Sequence, residues 1–158
     1  MPTWGEILKE FQQSAPKDGP PQFDLVRRKY LLQLSEFTKR AVILYASKWT
    51  QPDPNVAPES VSIVDEDIQG LMEVIHGVKA TELDLIIHSP GGSLEAAEAF
   101  VLYLRTKFNH IRVIVPQQAM SAATMIACAA DSISAPRMGQ FLPIRLPGHD
   151  VGNSCQLR

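Results

Sequence analysis

Two short loops of the sequence carry residue types whose spacing suits acyl-transfer chemistry. In the first loop, Pro90 is followed by two adjacent glycines, Gly91 and Gly92. Glycine adopts backbone conformations closed to other residues and leaves the chain open to close approach by a ligand. A helix is predicted to begin directly after this turn, so its unpaired amides favour a negative charge such as a reaction oxyanion. For an isolated Pro-Gly-Gly, a tight turn before a helix is the simpler interpretation.

The second loop places Ser121 after a predicted strand and at the start of an alanine-rich helix. Its hydroxyl could act as a nucleophile, and the amide of Ala122 could then stabilise the oxyanion. Serine is also a preferred helix N-cap, so this loop taken alone favours a structural role for Ser121.

Hydrophobic patterning predicts the elements that position these loops. Apolar runs predict strands over 41–46, 83–87 and 111–115. Helical periodicity predicts helices over 23–40, after Asp65, after Ser93 and from about Met120 to Ala130. Strands that alternate with helices need crossover connections, so the predicted fold class is α/β with a mostly parallel sheet. Such sheets bind ligands beyond the carboxyl ends of their strands, which is where both loops lie.

Side-chain roles follow from the same patterns. Asp65 and Ser93 are expected to cap the helices that follow them. Cys128 falls in an alanine-rich apolar run and is expected to be buried. The apolar face of the helix over 23–40 is predicted to consist of residues at helical spacing, namely Val26, Tyr30, Leu34 and Phe37.

The chain divides into three segments. Its 158 residues suffice for one domain with a hydrophobic core. Residues 1–22 hold a short amphipathic stretch and a proline-rich break, and are predicted to form an N-terminal arm. Residues 23–133 carry the α/β pattern. Residues 134–158 are rich in proline and glycine and are predicted to form an irregular tail without helix or clear strand.

Composition argues against several classes of function. A net charge of −2 provides no broad positive field, so nucleic-acid binding is not expected. Two cysteines suggest neither a disulfide framework nor a zinc knuckle, and the four histidines lack metal-ligand spacing. We therefore predict no metal and no cofactor. The sequence shows neither a secretory signal nor an apolar stretch of about 20 residues, so a cytoplasmic protein without a transmembrane segment is expected.

The two loops together resemble those of the Clp protease and crotonase superfamily. In that superfamily a strand ending in Ser-Pro-Gly-Gly is followed by a helix, a strand and Gln-Ala-x-Ser, matched here by 89–92 and 118–121. Over residues 25–133 the chain most resembles the serine dehydrogenase proteinase family, which is related to the signal peptide peptidase A type. The stretches that carry the resemblance include 83–92, 95–98, 103–105, 111–113, 115–116, 119–125 and 129–131.

This resemblance implies a ClpP/crotonase-like spiral of βαβ units and a serine endopeptidase that acts on peptides or proteins. Ser121 would be the nucleophile, and backbone amides of Gly91 or Gly92 with that of Ala122 would form the oxyanion hole. Residues at Pro90 and Met120 would line the substrate channel. The resemblance also implies a homo-oligomer and, for some relatives, peripheral association with membranes.

The general base that a serine nucleophile needs is not assigned by the sequence. Relatives supply a histidine or lysine downstream of the serine. No lysine follows Lys107 here, so His149, the only downstream histidine, is the candidate base. His149 lies in the proline- and glycine-rich tail, where a family stretch resembling Met-Gly-x-His-Ser is replaced by 138–145. This departure predicts that the tail reflects a C-terminal truncation or a change of reading frame.

Two other functions remain open at this point. A crotonase-like enzyme would use the same oxyanion geometry on an acyl-CoA thioester, although the sequence has no basic cluster suited to the adenine nucleotide. Alternatively, the chain could be an inactive or truncated interaction module of the same fold, in which a sheet edge left uncovered would promote association.

Overall fold

The computed structural model describes residues 2–16, 19–51 and 53–135, together with the backbone of 140–142. The helices are α1 (Trp4–Ser14), α2 (Phe23–Thr38), α3 (Glu66–Ile75), α4 (Leu94–Lys107) and α5 (Ala122–Cys128), with a 3-10 helix at Pro58–Val61. The strands are β1 (Ala41–Ala46), β2 (Glu82–His88), β3 (His110–Ile114), β4 (Gln118–Met120), β5 (Ser132–Ser134) and β6 (Gln140–Leu142).

The main sheet is parallel throughout, with strand order β1-β2-β3-β5. A second, two-stranded sheet pairs β4 with β6, also in parallel. The prediction of an α/β fold with a mostly parallel sheet is therefore confirmed. The three-residue strand β6 lies in a segment whose proline-rich pattern predicts no strand.

The core lies between one face of the main sheet and helices α3, α4 and α5. Leu83, Leu85 and Ile87 of β2 are fully buried in one cluster with Phe100 and Leu104 of α4. Each such side chain stabilises the fold by about 1.5–3 kcal/mol through removal of apolar surface from water. This packing fixes β2 and α4, the two elements on either side of the glycine turn.

Helix caps agree with the sequence at one site and differ at another. The Ser93 hydroxyl accepts a hydrogen bond from the Ala96 amide at 3.1 Å, as expected for an N-cap. Asp65 occupies the N-cap position of α3, but its side chain makes no cap hydrogen bond, so that prediction is wrong. The Asp67 carboxylate instead accepts the Val64 amide at 3.0 Å, and this bond organises the start of the helix.

Two burial predictions are also wrong. Val26 is buried on α2, but Phe37 is 87% exposed because the residue that continues the inward face at the helix end is Thr38, which is partly buried. Cys128 is exposed because it ends α5 on the side away from the buried residues of that helix. Apolar residue type alone did not identify the face that packs.

The N-terminal helix α1 contacts α2 through both apolar and charged groups. The rings of Phe11 and Phe23 lie 5.0 Å apart. Glu10 accepts a hydrogen bond from the Tyr30 hydroxyl at 2.8 Å and pairs with Lys29 at 2.5 Å. These contacts hold the two helices together on one side of the domain.

A buried ion cluster joins the amino-terminal ends of the first three strands. Asp84 of β2 is fully buried and binds Arg112 of β3 through two hydrogen bonds of 2.9 and 2.6 Å. Arg40, just before β1, has its Nε 2.6 Å from Asp84 Oδ1, although the two are not aligned as a hydrogen bond. Arg40 also donates to the carbonyls of Leu83 and His110 at 3.0 and 3.1 Å. Two guanidinium groups thus share one buried carboxylate, and Arg40 also pairs with Glu82.

Candidate active site

The glycine turn leaves β2 at its carboxyl end. Ser89 is fully buried, and its hydroxyl accepts the amide of Gly91 at 3.1 Å. This bond closes a tight turn in which Gly91 adopts φ +95°, a left-handed conformation that favours glycine. The sequence predicted the turn but could not indicate that Ser89 holds it.

The next residue, Gly92, lies against a backbone segment that precedes α3. The Ile63 amide donates to Gly91 O at 2.8 Å, and the Ser93 amide donates to Ile63 O at 2.9 Å. A Cβ on Gly92 would lie 2.2 Å from Ile63 O, so only glycine can occupy the position. In this parallel pairing the Gly92 amide points away from Ile63. Within the described residues it donates to no acceptor, and Gly92 is exposed.

Ser121 occupies a strained turn between β4 and α5. Its φ of 49° and ψ of −123° are unusual for a residue with a side chain and cost about 1–3 kcal/mol. The side chain makes no cap hydrogen bond to α5, so the N-cap interpretation does not hold. Its carbonyl accepts the Thr124 amide at 2.9 Å, and the hydroxyl group lies on an exposed residue at the sheet edge.

The strand before Ser121 is joined to the glycine turn by backbone hydrogen bonds. The Ser89 amide donates to Gln118 O at 3.3 Å, and the Met120 amide donates to Ser89 O at 3.0 Å. Thr124 of α5 donates its hydroxyl to Ala119 O at 2.7 Å, which ties the helix back to β4. The two loops singled out in the sequence are therefore held side by side.

The contact between the loops is steric as well as hydrogen-bonded. A Cβ on Gly91 would lie 2.6 Å from Met120 O, 2.7 Å from Ser121 Cβ and 2.9 Å from Ala122 N. Ala122 is fully buried as the first residue of α5, where a helix leaves its amides without intrahelical partners. The amides of Gly92 and Ala122 thus belong to two loops in contact at Ser121.

The structure brings together most of the residues singled out in the sequence. Pro90, Met120 and Ser121 lie in the paired loops, with the glycines and Ala122 described above. The Gly91 amide is engaged by Ser89, which leaves Gly92 as the glycine with an amide open to a ligand. The candidate base His149 lies outside the described residues.

Several other titratable residues of the described chain make structural contacts. The His88 ring lies 5.8 Å from that of Trp49, and His110 Nδ1 lies 2.8 Å from Arg40 Nη2 in the ion cluster. Asp131 accepts the Ile111 amide at 2.7 Å and binds Arg105 at 2.7 Å. The hydrogen bond from the Ile111 amide, and next the one from Arg105, hold the pKa of the Asp131 carboxyl below its usual value.

Gly91→Ala is expected to damage the site, because the new methyl group would meet backbone atoms of the Ser121 turn. We expect the rate of serine labelling by an active-site phosphonate to fall about 100-fold, comparable to the loss of an oxyanion donor. Gly70→Ala is the matched control, since nothing lies within 4 Å of its new methyl group. Equal labelling of the two variants would show that the close contact is not needed.

Comparison with known proteins places this arrangement in a class. The chain has a parallel α/β domain with a serine in a strained turn beside a glycine turn. Residues 60–144 match the family of ClpP-like SDH-type serine proteinases. This match covers more than half of the chain, which therefore belongs to that family. The fold is accordingly ClpP-like, as the resemblance implied.

Two uncharacterized proteins of Methanocaldococcus jannaschii are similar to the chain. One is 36% identical over 120 residues, which is 75% of this chain and 42% of the relative. The other is 39% identical over 70 residues, which is 42% of this chain and 24% of the relative. The chain therefore spans less than half the length of either relative.

Two solved ClpP structures are also similar to it. A ClpP1 mutant from Listeria monocytogenes has 18% identity and a TM-score of 0.42, over 63% of this chain and 51% of that one. The ClpP catalytic domain from Plasmodium falciparum has 16% identity and a TM-score of 0.45, over 65% of this chain and 59% of that one.

The described residues lack two further features. None of the helices in that part of the chain is long and apolar enough to cross a membrane. Among the same residues, no group of three or more histidine, cysteine, aspartate or glutamate side chains is arranged to hold a metal ion.

Proposed function

We propose that the chain is the nucleophile-bearing part of a serine endopeptidase that cleaves peptide bonds through an acyl-enzyme on Ser121. The observation that carries this proposal is the strained turn of Ser121, held against a glycine turn with an open amide. Membership of a serine proteinase family favours this function over acyl-CoA chemistry.

In the first step, Ser121 Oγ would attack the carbonyl carbon of the scissile bond and lose its proton to a base. The carbonyl oxygen would become an oxyanion and accept hydrogen bonds from the amides of Gly92 and Ala122. Collapse of this intermediate would break the C–N bond, and the amine would leave with a proton from the same base. Water would then release the acyl group from Ser121 by the same steps.

The strained turn supports this role because it projects Ser121 from the end of β4 instead of turning it back to cap α5. An exposed hydroxyl without a cap bond is available to a substrate. A peptide in the channel would pass Pro90 and Met120, which belong to the two paired loops. His149 remains the candidate base from the sequence, and the proposal assigns it no geometry.

The assembly and location of the protein are also proposals. Homo-oligomerisation is proposed from the ClpP-like fold, and peripheral membrane association from the resemblance to the signal peptide peptidase A type. A peptide or protein is the proposed substrate, and nucleic acid is not a proposed partner because the chain carries a net charge of −2.

A fluorophosphonate probe tests the proposal directly, because it phosphonylates an activated serine and leaves other hydroxyls unmodified. The protein is incubated with the probe, digested and analysed by mass spectrometry. We expect one modified peptide, with the adduct on Ser121. An adduct on a different serine, or none on native folded protein, would contradict the proposal.

A further inference from the structure

A groove beside the glycine turn is not explained by the nucleophile or the oxyanion amides. It has a volume of about 340 Å³ and lies between the segment 48–62 and Pro90. Its walls are mainly apolar, and its charged groups are Lys48 and Asp53. The apolar lining residues are Trp49, Val56, Pro58, Val61 and Pro90.

The groove wall is anchored to the site at both ends. At one end, the Trp49 ring packs against His88, the last residue of β2, at 5.8 Å. At the other end, Ile63 exchanges backbone hydrogen bonds with Gly91 and Ser93 at 2.8 and 2.9 Å. The segment is thus fixed relative to the turn that would bind the oxyanion, and a ligand in the groove would be positioned with respect to Ser121.

The segment also has internal order. The Asn55 amide donates to Asp53 Oδ1 at 2.9 Å, and the Ser62 amide closes the 3-10 helix on Glu59 O at 3.1 Å. Such bonds reduce the conformational entropy that a loop loses on binding a ligand. The apolar wall is therefore partly preorganised, which favours a binding role over a loop that only connects β1 to α3.

We propose that this groove binds an apolar side chain of the peptide substrate, close to the scissile bond. The inference rests on the proposed peptidase function. Pro90 lines the groove and lies two residues before Gly92, so a peptide whose carbonyl reaches the Gly92 amide would pass close to the groove. An extended peptide advances about 3.3 Å per residue with side chains on alternate sides, so a side chain near the scissile bond can enter the groove.

The lining selects for apolar side chains by desolvation. A leucine or phenylalanine side chain that enters leaves water for apolar walls, whereas a carboxylate would lose hydration without gaining a full partner. Lys48 and Asp53 carry opposite charges, so together they provide no net attraction for an acidic or a basic side chain of the ligand. The affinity of the groove should therefore increase with the size of an apolar side chain and be low for acidic side chains.

Peptide binding to Ser121→Ala tests the groove without catalysis. Trp4→Phe is added so that Trp49 is the only tryptophan, since the sequence has two. The probes are capped alanine hexapeptides with one leucine or one glutamate at each position in turn. At one position we expect leucine to change Trp49 fluorescence and to bind at least about 10-fold more tightly than glutamate. Equal affinities at every position would overturn the inference.

Val56→Asp and Val78→Asp provide the matched pair. Their side chains are 46% and 41% exposed, but only Val56 lines the groove. We expect Val56→Asp to abolish the leucine preference and Val78→Asp to retain it. Loss of preference in both variants would overturn the assignment.

Fluorophosphonate labelling separates the two proposals. Labelling of Ser121 in the native protein, combined with no leucine preference, would overturn the groove while the peptidase function stands. A failure to label Ser121 would count against the peptidase function itself.

Discussion

Ser121→Ala is expected to abolish fluorophosphonate labelling and any peptidase activity while leaving the fold intact. The substitution removes the only atom proposed to form the acyl bond, and the side chain makes no cap hydrogen bond that the fold would lose. Labelling is measured by gel fluorescence and the fold by thermal unfolding. Ser134→Ala, at an exposed serine of β5, is the matched control and should label fully. Full labelling of Ser121→Ala would refute the assignment of the nucleophile.

Ser121→Gly separates the strain in this turn from its chemistry. At φ 49° a glycine avoids the steric cost that serine and alanine both carry. We therefore expect Ser121→Gly to be inactive but more stable than Ser121→Ala by about 1 kcal/mol, after allowance for the greater flexibility of unfolded glycine. Urea denaturation measures the difference. A less stable glycine variant would show that the turn holds no strain.

Asp84→Ala is expected to cost about 3–5 kcal/mol of unfolding free energy, the largest stability effect predicted for this chain. Asp84 is fully buried, and its removal would leave Arg40 and Arg112 facing each other without a shared counter-charge. Urea denaturation monitored by circular dichroism measures the loss. Because small domains are only about 5–15 kcal/mol stable, the variant should be close to unfolding.

The control for Asp84 is Glu82→Ala. Glu82 also pairs with Arg40, but its side chain is 52% exposed, so its removal should cost less than about 1 kcal/mol. A comparable loss in the two variants would show that burial of the carboxylate does not determine its contribution. Asp84→Asn retains the side-chain shape. Its loss of unfolding free energy should lie between those of Asp84→Ala and Glu82→Ala, since it removes the charge but keeps a hydrogen-bond acceptor.

The sequence predicted those parts of the fold that have strong periodic or apolar signals. The first strand, 41–46, matches the prediction because it is a continuous apolar run in a covered parallel sheet. The strands β4 and β5 were missed because each has three residues of mixed polarity, too few to show a period. Helix α5 begins at Ala122, after the predicted start at Met120, because β4 occupies that residue.

The candidate site was predicted by loop chemistry, but its internal contacts were not. Ser121 and the glycines could be identified because glycine pairs and a serine before a helix are local signals. The bonds of Ser89 and Ile63 to the glycine turn depend on three-dimensional contact. Asp84 lies in an otherwise apolar run, and its partner Arg112 is 28 positions away in the sequence. No local pattern could identify that pair.

The ion cluster also has a consequence for how the chain acquires its structure during synthesis. Arg40 reaches Glu82 across 42 positions and His110 across 70. Contacts of such long sequence separation form slowly, because the entropy of closing the intervening loop is lost before the contact stabilises the chain. The Asp84 carboxylate cannot pair with both Arg40 and Arg112 until β3 has emerged from the ribosome. The amino-terminal ends of the three strands should therefore close together late, in a single cooperative event.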